Sequence, residues 1–178
     1  MGKYPFRNPD LPLNDRVDDL ISRLTLVEKI SLLPTQQAAV ERLDIPEYSV
    51  GGEAAHGVAW LGEATVFPQP IGLACTWDKN LLYRVGDVIG TEARAYYKKL
   101  GSRGGLTLWA PTVDMARDPR WGRTEEAYGE APCLTGELTS HLIKGMQGDH
   151  PFYLKIGATL KHFFANNNEY ERGTSSAS

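Results

Sequence analysis

Residues 117–126 gather three guanidinium groups, one indole and three carboxylates: Arg117, Arg120, Arg123, Trp121, Asp118, Glu125 and Glu126. A planar aromatic among forked donors and carboxylates can grip a polyhydroxylated ring. The indole covers the apolar C–H face, while guanidinium and carboxylate groups bond the hydroxyls. The stretch follows an apolar run, 106–113, that reads as a strand buried on both sides. Loops just past the carboxyl end of a strand are where α/β proteins place ligand sites. Two further groupings stand in comparable places. Glu53 and His56 follow a short strand candidate at 48–50 that ends in Gly51 and Gly52, and Lys161 and His162 follow a strand candidate at 156–160.

The elements that must hold these groups follow from periodicity. Residues 4–14, rich in Pro and Asn, are expected to run extended. Val17, Leu20, Ile21 and Leu24 recur at helical spacing. Thr25 and Glu28 form a capping-box pattern before a second short helix that Pro34 stops, and 40–43 continues a helical reading. The 62–76 segment, with its glycines and prolines, reads as a long loop. From Asp78 to Lys99 the stripe Leu81, Leu82, Val85, Val88 and Ile89 predicts the clearest helix, closed by Gly101. Pro132 opens another, with Leu134, Leu138, Leu142, Ile143 and Met146 facing the core. The β-α-β-α-β alternation predicts a parallel sheet.

Composition bounds the function. The 178 residues are 42% hydrophobic and 23% charged, as in a globular domain, and the net charge of −3 supplies no field for nucleic acid or an anionic membrane. No apolar run approaches the roughly 18–20 residues of a membrane span, and residues 1–6 carry no apolar leader core. Cys75 and Cys133 match no metal or redox spacing and are expected as reduced core or sub-surface residues, which points to a cytoplasmic, reducing compartment. Motifs for phosphate, dinucleotide, zinc or calcium are absent, so no cofactor is expected.

Segments 4–9, 24–30, 52–57, 65–69, 110–114, 117–123, 161–163 and 167–169, in that order and at that spacing, resemble the N-terminal domain of the family 3 glycoside hydrolases, the β-glucosidase and β-xylosidase group. The resemblance implies an α/β fold, the N-terminal portion of a (β/α)8 barrel. Residues 1–47 would form a helical lead-in, 48–165 the first barrel units and 166–178 a polar tail. It implies a β-linked oligosaccharide or glycoside as ligand. It also implies that Glu53, Arg123, Lys161 and His162 bind the sugar, with Glu53 accepting bonds from its hydroxyls. Many β-glucosidases of the family carry the shorter Asp where Glu53 stands, so the longer side chain would crowd a hydroxymethyl group and favour a pentose. Lys161 and His162 raise a geometric question, because neighbours on a regular strand point to opposite faces. For both to reach one ligand the backbone must depart from regular β over 161–164.

The neighbours carry less specific readings. Trp121 is either a sugar platform or a pin that fastens its loop, with the pin favoured. His56 reads as a histidine bonded to backbone. Arg117, Asp118 and Arg120 are expected to brace the loop through ion pairs. Asp114 either points into the barrel mouth or ties down Arg117, with the second favoured. The three amides Asn166, Asn167 and Asn168 suit a hydrogen-bonded turn as well as a subsite. Ala131 stands where the family usually has an Asp before Pro132, so the following helix is expected to lack its cap, at a cost of about 0.5–2 kcal/mol.

A closed barrel of this kind takes about 250 residues. Retaining glycosidases need two carboxyls about 5–5.5 Å apart. In the family the nucleophile is an Asp on a later strand, and no Ser-Asp pair of the matching kind occurs here. The chain is therefore expected to position a sugar without cleaving it, with neither catalytic carboxyl present, as a truncated or split part of a retaining exo-acting β-glycosidase of the β-glucosidase type, which hydrolyses terminal non-reducing β-D-glucosyl residues. Its unpaired strand edge would then meet either a complementary chain or a second copy. A β-xylosidase of the same family, or a non-catalytic sugar-binding module, is the alternative.

Overall fold

The computed structural model describes residues 4–101, 105–164 and 166–174. The leader reading at positions 1–3 and the end of the polar tail, 175–178, lie outside them. The described residues divide into two compact units, one up to Ser49 and one from Val50.

In the first unit, α1 (Leu13–Arg23) carries the predicted periodicity, and α2 (Leu26–Ser31) starts with the capping box intact. Thr25 Oγ1 accepts from the Glu28 N–H at 3.3 Å, and Glu28 Oε2 accepts from the Thr25 N–H at 2.8 Å. Phe6, Val40 and Leu43 form a small core with Leu20, Leu24 and Ile45 packed on it. The N-terminal segment is not wholly extended, since Pro5–Arg7 makes a 3-10 turn. A two-residue strand, β1 (Gln36–Gln37), pairs antiparallel with the first residues of β2 (Tyr48–Gly52).

In the second unit, the latter part of β2 pairs parallel with β3 (Thr107–Leu108), which pairs parallel with β4 (Gly157–Ala158). This is the predicted parallel sheet, with shorter ladders. Past Leu108, Pro111 has no N–H to donate, and the ladder resumes only as a single parallel bridge between Thr112 and Lys161. The 62–76 loop holds a helix that its Pro and Gly content conceals: α3 (Pro70–Ala74) starts on Pro70 at its first position.

Two long helices, α4 (Lys79–Lys99) and α5 (Pro132–Gln147), supply nearly half of the buried residues in this unit's core. Leu82, Val85, Ile89, Leu138, Leu142 and Met146 are at most 3% exposed. The helix backbones approach closely through glycines. A Cβ at Gly86 would stand 2.1 Å from the Leu142 carbonyl oxygen, and one at Gly145 would stand 2.0 Å from that of Tyr83. Asp78 caps α4 by accepting from the Asn80 and Leu81 N–H groups at 2.9 and 3.0 Å. Ala131 offers α5 no side-chain cap.

The cysteines correct the expectation of a core position. Both Cys75 and Cys133 are free and exposed, one just past α3 and the other in the first turn of α5. No helix among the described residues is long and apolar enough to cross a membrane.

Candidate functional site

The carboxyl ends of the three parallel strands bring the expected residues together. Glu53 directly follows β2, the 114–126 stretch follows β3, and Lys161 and His162 follow β4. Lys161 Nζ donates to Glu53 Oε2 at 2.9 Å. The other Glu53 oxygen accepts from the Ala54 and Ala55 N–H groups, both at 2.8 Å. Glu53 therefore caps its own loop with one oxygen and holds Lys161 with the other.

Arg123 and His162 form a second pair, with Arg123 Nη1 3.1 Å from His162 Nε2. The far edge of the guanidinium grips Glu126. Nε donates to Oε1 and Nη2 to Oε2, both at 2.6 Å. These charged hydrogen bonds hold the Glu126 carboxyl below its ordinary value of 4.5, against the opposing effect of burial, and they raise Arg123 further. The hydroxyl of the buried Thr112 lies 3.4 Å from Glu126 Oε2.

The backbone departs from regular β where expected. The Lys161–His162 peptide is cis, Lys161 sits in an isolated bridge, and no strand runs through Phe164. Lys161 reaches Glu53 while His162 reaches Arg123, and both partners wall a single cavity of about 260 Å³. Ala55, His56, Gln69, Glu125 and Glu126 line it too. Lys161 and His162 are not among the residues that line it, and each bonds one that does.

Asp114 corrects its favoured reading. Its Oδ2 lies 2.7 Å from His162 Nδ1 and accepts from the His162 N–H at 3.1 Å, so it serves His162 rather than Arg117. Asn166 adds its amide 2.9 Å from the same ring nitrogen. Trp121 is 4% exposed, and its Nε1 donates to Glu169 Oε1 at 3.2 Å, which makes it the pin. His56 Nδ1 bonds the Phe67 carbonyl at 2.9 Å, the backbone role expected of it. Arg120 braces the loop through two bonds to Asp118, Nε to Oδ1 at 3.0 Å and Nη2 to Oδ2 at 2.7 Å.

Sequence reasoning missed Glu126 as the partner of Arg123. The signal was available: the two lie three positions apart, and the 3-10 turn at Thr124–Glu126 brings such a pair face to face. No comparable local signal joins Asp114 to His162, which are 48 positions apart.

Comparison with known proteins places this arrangement. The model of the glycosyl hydrolase family 3 N-terminal domain matches residues 20–177. The chain is 40% identical over 183 residues to a xylan 1,4-β-xylosidase of Xylanibacter ruminicola, with 96% of this chain and 21% of that protein covered. It is 43% identical over 173 residues to β-D-xylosidase 3 of Arabidopsis thaliana, with 90% and 22% covered. Among solved structures it superposes on the family exo-β-xylosidase XlnD, held with a xylobiose aziridine probe, at a TM-score of 0.80 and 32% identity over 93% of this chain and 22% of that one. It superposes on β-glucosidase 3B of Thermotoga neapolitana, in complex with α-D-glucose, at 0.70 and 31% identity over 86% and 24%. The fold is the α/β N-terminal portion of the family's barrel. The chain belongs to glycoside hydrolase family 3. It spans about a fifth of the length of these curated relatives.

Proposed function

We propose that this chain supplies the sugar-binding half of the subsite that holds the terminal non-reducing residue in a retaining exo-β-glycosidase. Glu53, Arg123, Lys161 and His162 orient the ring, and the attacking carboxylate comes from outside the 178 residues. The observation that carries this reading is the pair of bonded couples, Glu53–Lys161 and Arg123–His162, whose first members wall one cavity. At about 260 Å³ the cavity lies just under the ~300 Å³ lower end for drug-sized ligands, a size suited to one sugar ring. Carboxylate and guanidinium groups brought to one wall supply the acceptors and forked donors that adjacent hydroxyls require.

Within β-glycosidases the reading is a β-D-xylosyl or β-D-glucosyl unit. The relatives named as β-xylosidases favour the pentose, as does the length of Glu53, while relatives named as β-glucosidases keep the hexose in view. Titration of the chain with D-xylose and D-glucose, followed by calorimetry or ligand-observed NMR, tests this. The expected result is weak saturable binding, tighter for xylose, that Arg123→Gln abolishes. Absence of saturation by either sugar would sink the cradle. Turnover of an aryl β-xyloside by the chain alone would show that the nucleophile lies within it.

A further inference from the structure

Glu53 reaches the cavity because β2 carries one residue too many. Val50 stands opposite Thr107 and Gly52 opposite Leu108, so two steps along β2 match one step along β3. Gly51 is the extra residue of a bulge, with φ at 94°, in the region that favours glycine. Counted on from Gly52, Glu53 falls opposite Trp109. Without the bulge it would fall opposite Ala110. Facing residues of paired strands share a side of the sheet, and neighbours along a strand alternate. Leu108 and Ala110, 4% and 0% exposed, belong to the core packed on α4 and α5, whereas Trp109 keeps 38% of its surface open. A regular register would therefore turn the Glu53 carboxylate into that apolar core.

Residues at the end of β3 hold this bulge from several directions. A Cβ at Gly51 would stand within 2.6 Å of three carbons of the Trp109 indole, Cζ2, Cε2 and Cη2. A Cβ at Gly52 would stand 2.6 Å from Leu108 Cδ2. The Trp109 N–H donates to the Gly52 carbonyl at 2.7 Å, in the peptide that leads into Glu53. We propose that Trp109 is a positioning residue for Glu53: its indole, lying on Gly51, and its N–H together fix the bulge that aims the carboxylate at the cavity and at Lys161 rather than at the core. A side chain at position 51 and the indole compete for one volume, so this glycine and this tryptophan are a matched pair. The consequence for ligand binding rests on the sugar-cradle reading above and deepens it, while the aim of Glu53 stands apart from that reading.

Amide hydrogen exchange on the labelled 178-residue chain, with D-xylose titrated in parallel, tests this. The Ala54 and Ala55 N–H groups donate to Glu53 Oε1, both at 2.8 Å, and so report on its aim. Trp109→Ala is expected to speed their exchange about tenfold, and Gly51→Ala, which drives a methyl into the indole, about as much. Ile89 and Leu142, inside α4 and α5, are expected to keep their rates. In the double variant the methyl meets no ring, so its effect is expected to fall short of the product of the two single effects. Xylose binding is expected to weaken about tenfold with Trp109→Ala. Unchanged rates at Ala54 and Ala55, an equal rise at Ile89 and Leu142, multiplicative single effects, or a xylose affinity that Trp109→Ala leaves unmoved overturns the proposal. So does an unaltered chain with no nuclear Overhauser contact between the Trp109 ring and the Gly51 α-protons, a result that needs no variant to fold. An unaltered chain that binds no xylose sinks the sugar cradle, and exchange at Ala54 and Ala55 still decides whether Trp109 aims Glu53.

Discussion

Lys161 Nζ and Glu53 Oε2 meet at 2.9 Å across 108 positions of sequence, tying the end of β4 to the loop after β2. The side chains are 15% and 22% exposed, so solvent screens them less than a surface pair. Lys161→Met keeps the side-chain length and removes the charge, leaving Glu53 half-buried with one oxygen unpaired. The expected loss is about 1–3 kcal/mol of stability, read from the urea midpoint at constant slope. An unchanged midpoint would mean that water replaces the ammonium at no cost.

The α4–α5 contact depends on missing side chains. Gly→Ala inside a helix ordinarily gains up to ~1 kcal/mol. At Gly86, however, the new methyl would stand 2.1 Å from the Leu142 carbonyl oxygen, a backbone atom that cannot rotate away. Overpacking of this kind typically costs about 1–3 kcal/mol, so Gly86→Ala is expected to destabilise despite its better propensity. Gly136→Ala, on α5 with nothing within 4 Å of its Cβ position, is expected to stabilise. Denaturant melts of the two variants should shift in opposite directions.

The pH dependence follows from Glu126. Its folded carboxyl lies below its ordinary 4.5 because Arg123 bonds both oxygens. A depressed carboxyl gives stability that is fully present above the unfolded value and is lost as pH falls through the folded one. Acid titration is therefore expected to erode stability below about pH 4.5, and Glu126→Gln should flatten that decline. Asp118, held at about 2 by Arg120, and Glu28, held at about 2 by Arg42, share the same direction. Asp118 has fully solvated surroundings, so Asp118→Asn is expected to leave the acid limb nearly unchanged.

What the sequence made legible was governed by near neighbours. The capping box at Thr25 and Glu28 and the periodic stripes of α4 and α5 are short-range patterns, and all three stand where the pattern put them. The three parallel strands followed from the alternation, but their lengths did not. An apolar run shows burial, while ladder length depends on partners distant in sequence and on the missing N–H of Pro111. α3 escaped notice because Pro and Gly mark a turn and a helix start alike. The site divides the same way. Strand ends brought Glu53, Arg123, Lys161 and His162 into one region, but the choice of Asp114 between Arg117 and His162 is a tertiary outcome that no spacing encodes.

The two long helices of the second unit offer a paired test of capping. α4 starts from Asp78, whose Oδ1 accepts from two N–H groups of the first turn. α5 starts from Ala131, whose φ of −85° and ψ of 118° already match the extended geometry of a cap but whose methyl can accept nothing. Pro132, at the first position, has no N–H to satisfy, so the open donors are those of Cys133 and Leu134. Ala131→Asp places a carboxylate within reach of both and at the positive end of the helix dipole. The expected gain is about 0.5–2 kcal/mol. For a chain of this size that raises the melting temperature by about 2–4 °C per kcal/mol. Asp78→Ala removes the corresponding bonds from α4 and is expected to lower it by a similar amount. Calorimetry of the two single variants and the double variant should give additive shifts, because the caps share no partner. A melting temperature unmoved by Ala131→Asp would mean that water already satisfies the first turn of α5 as well as a side chain can.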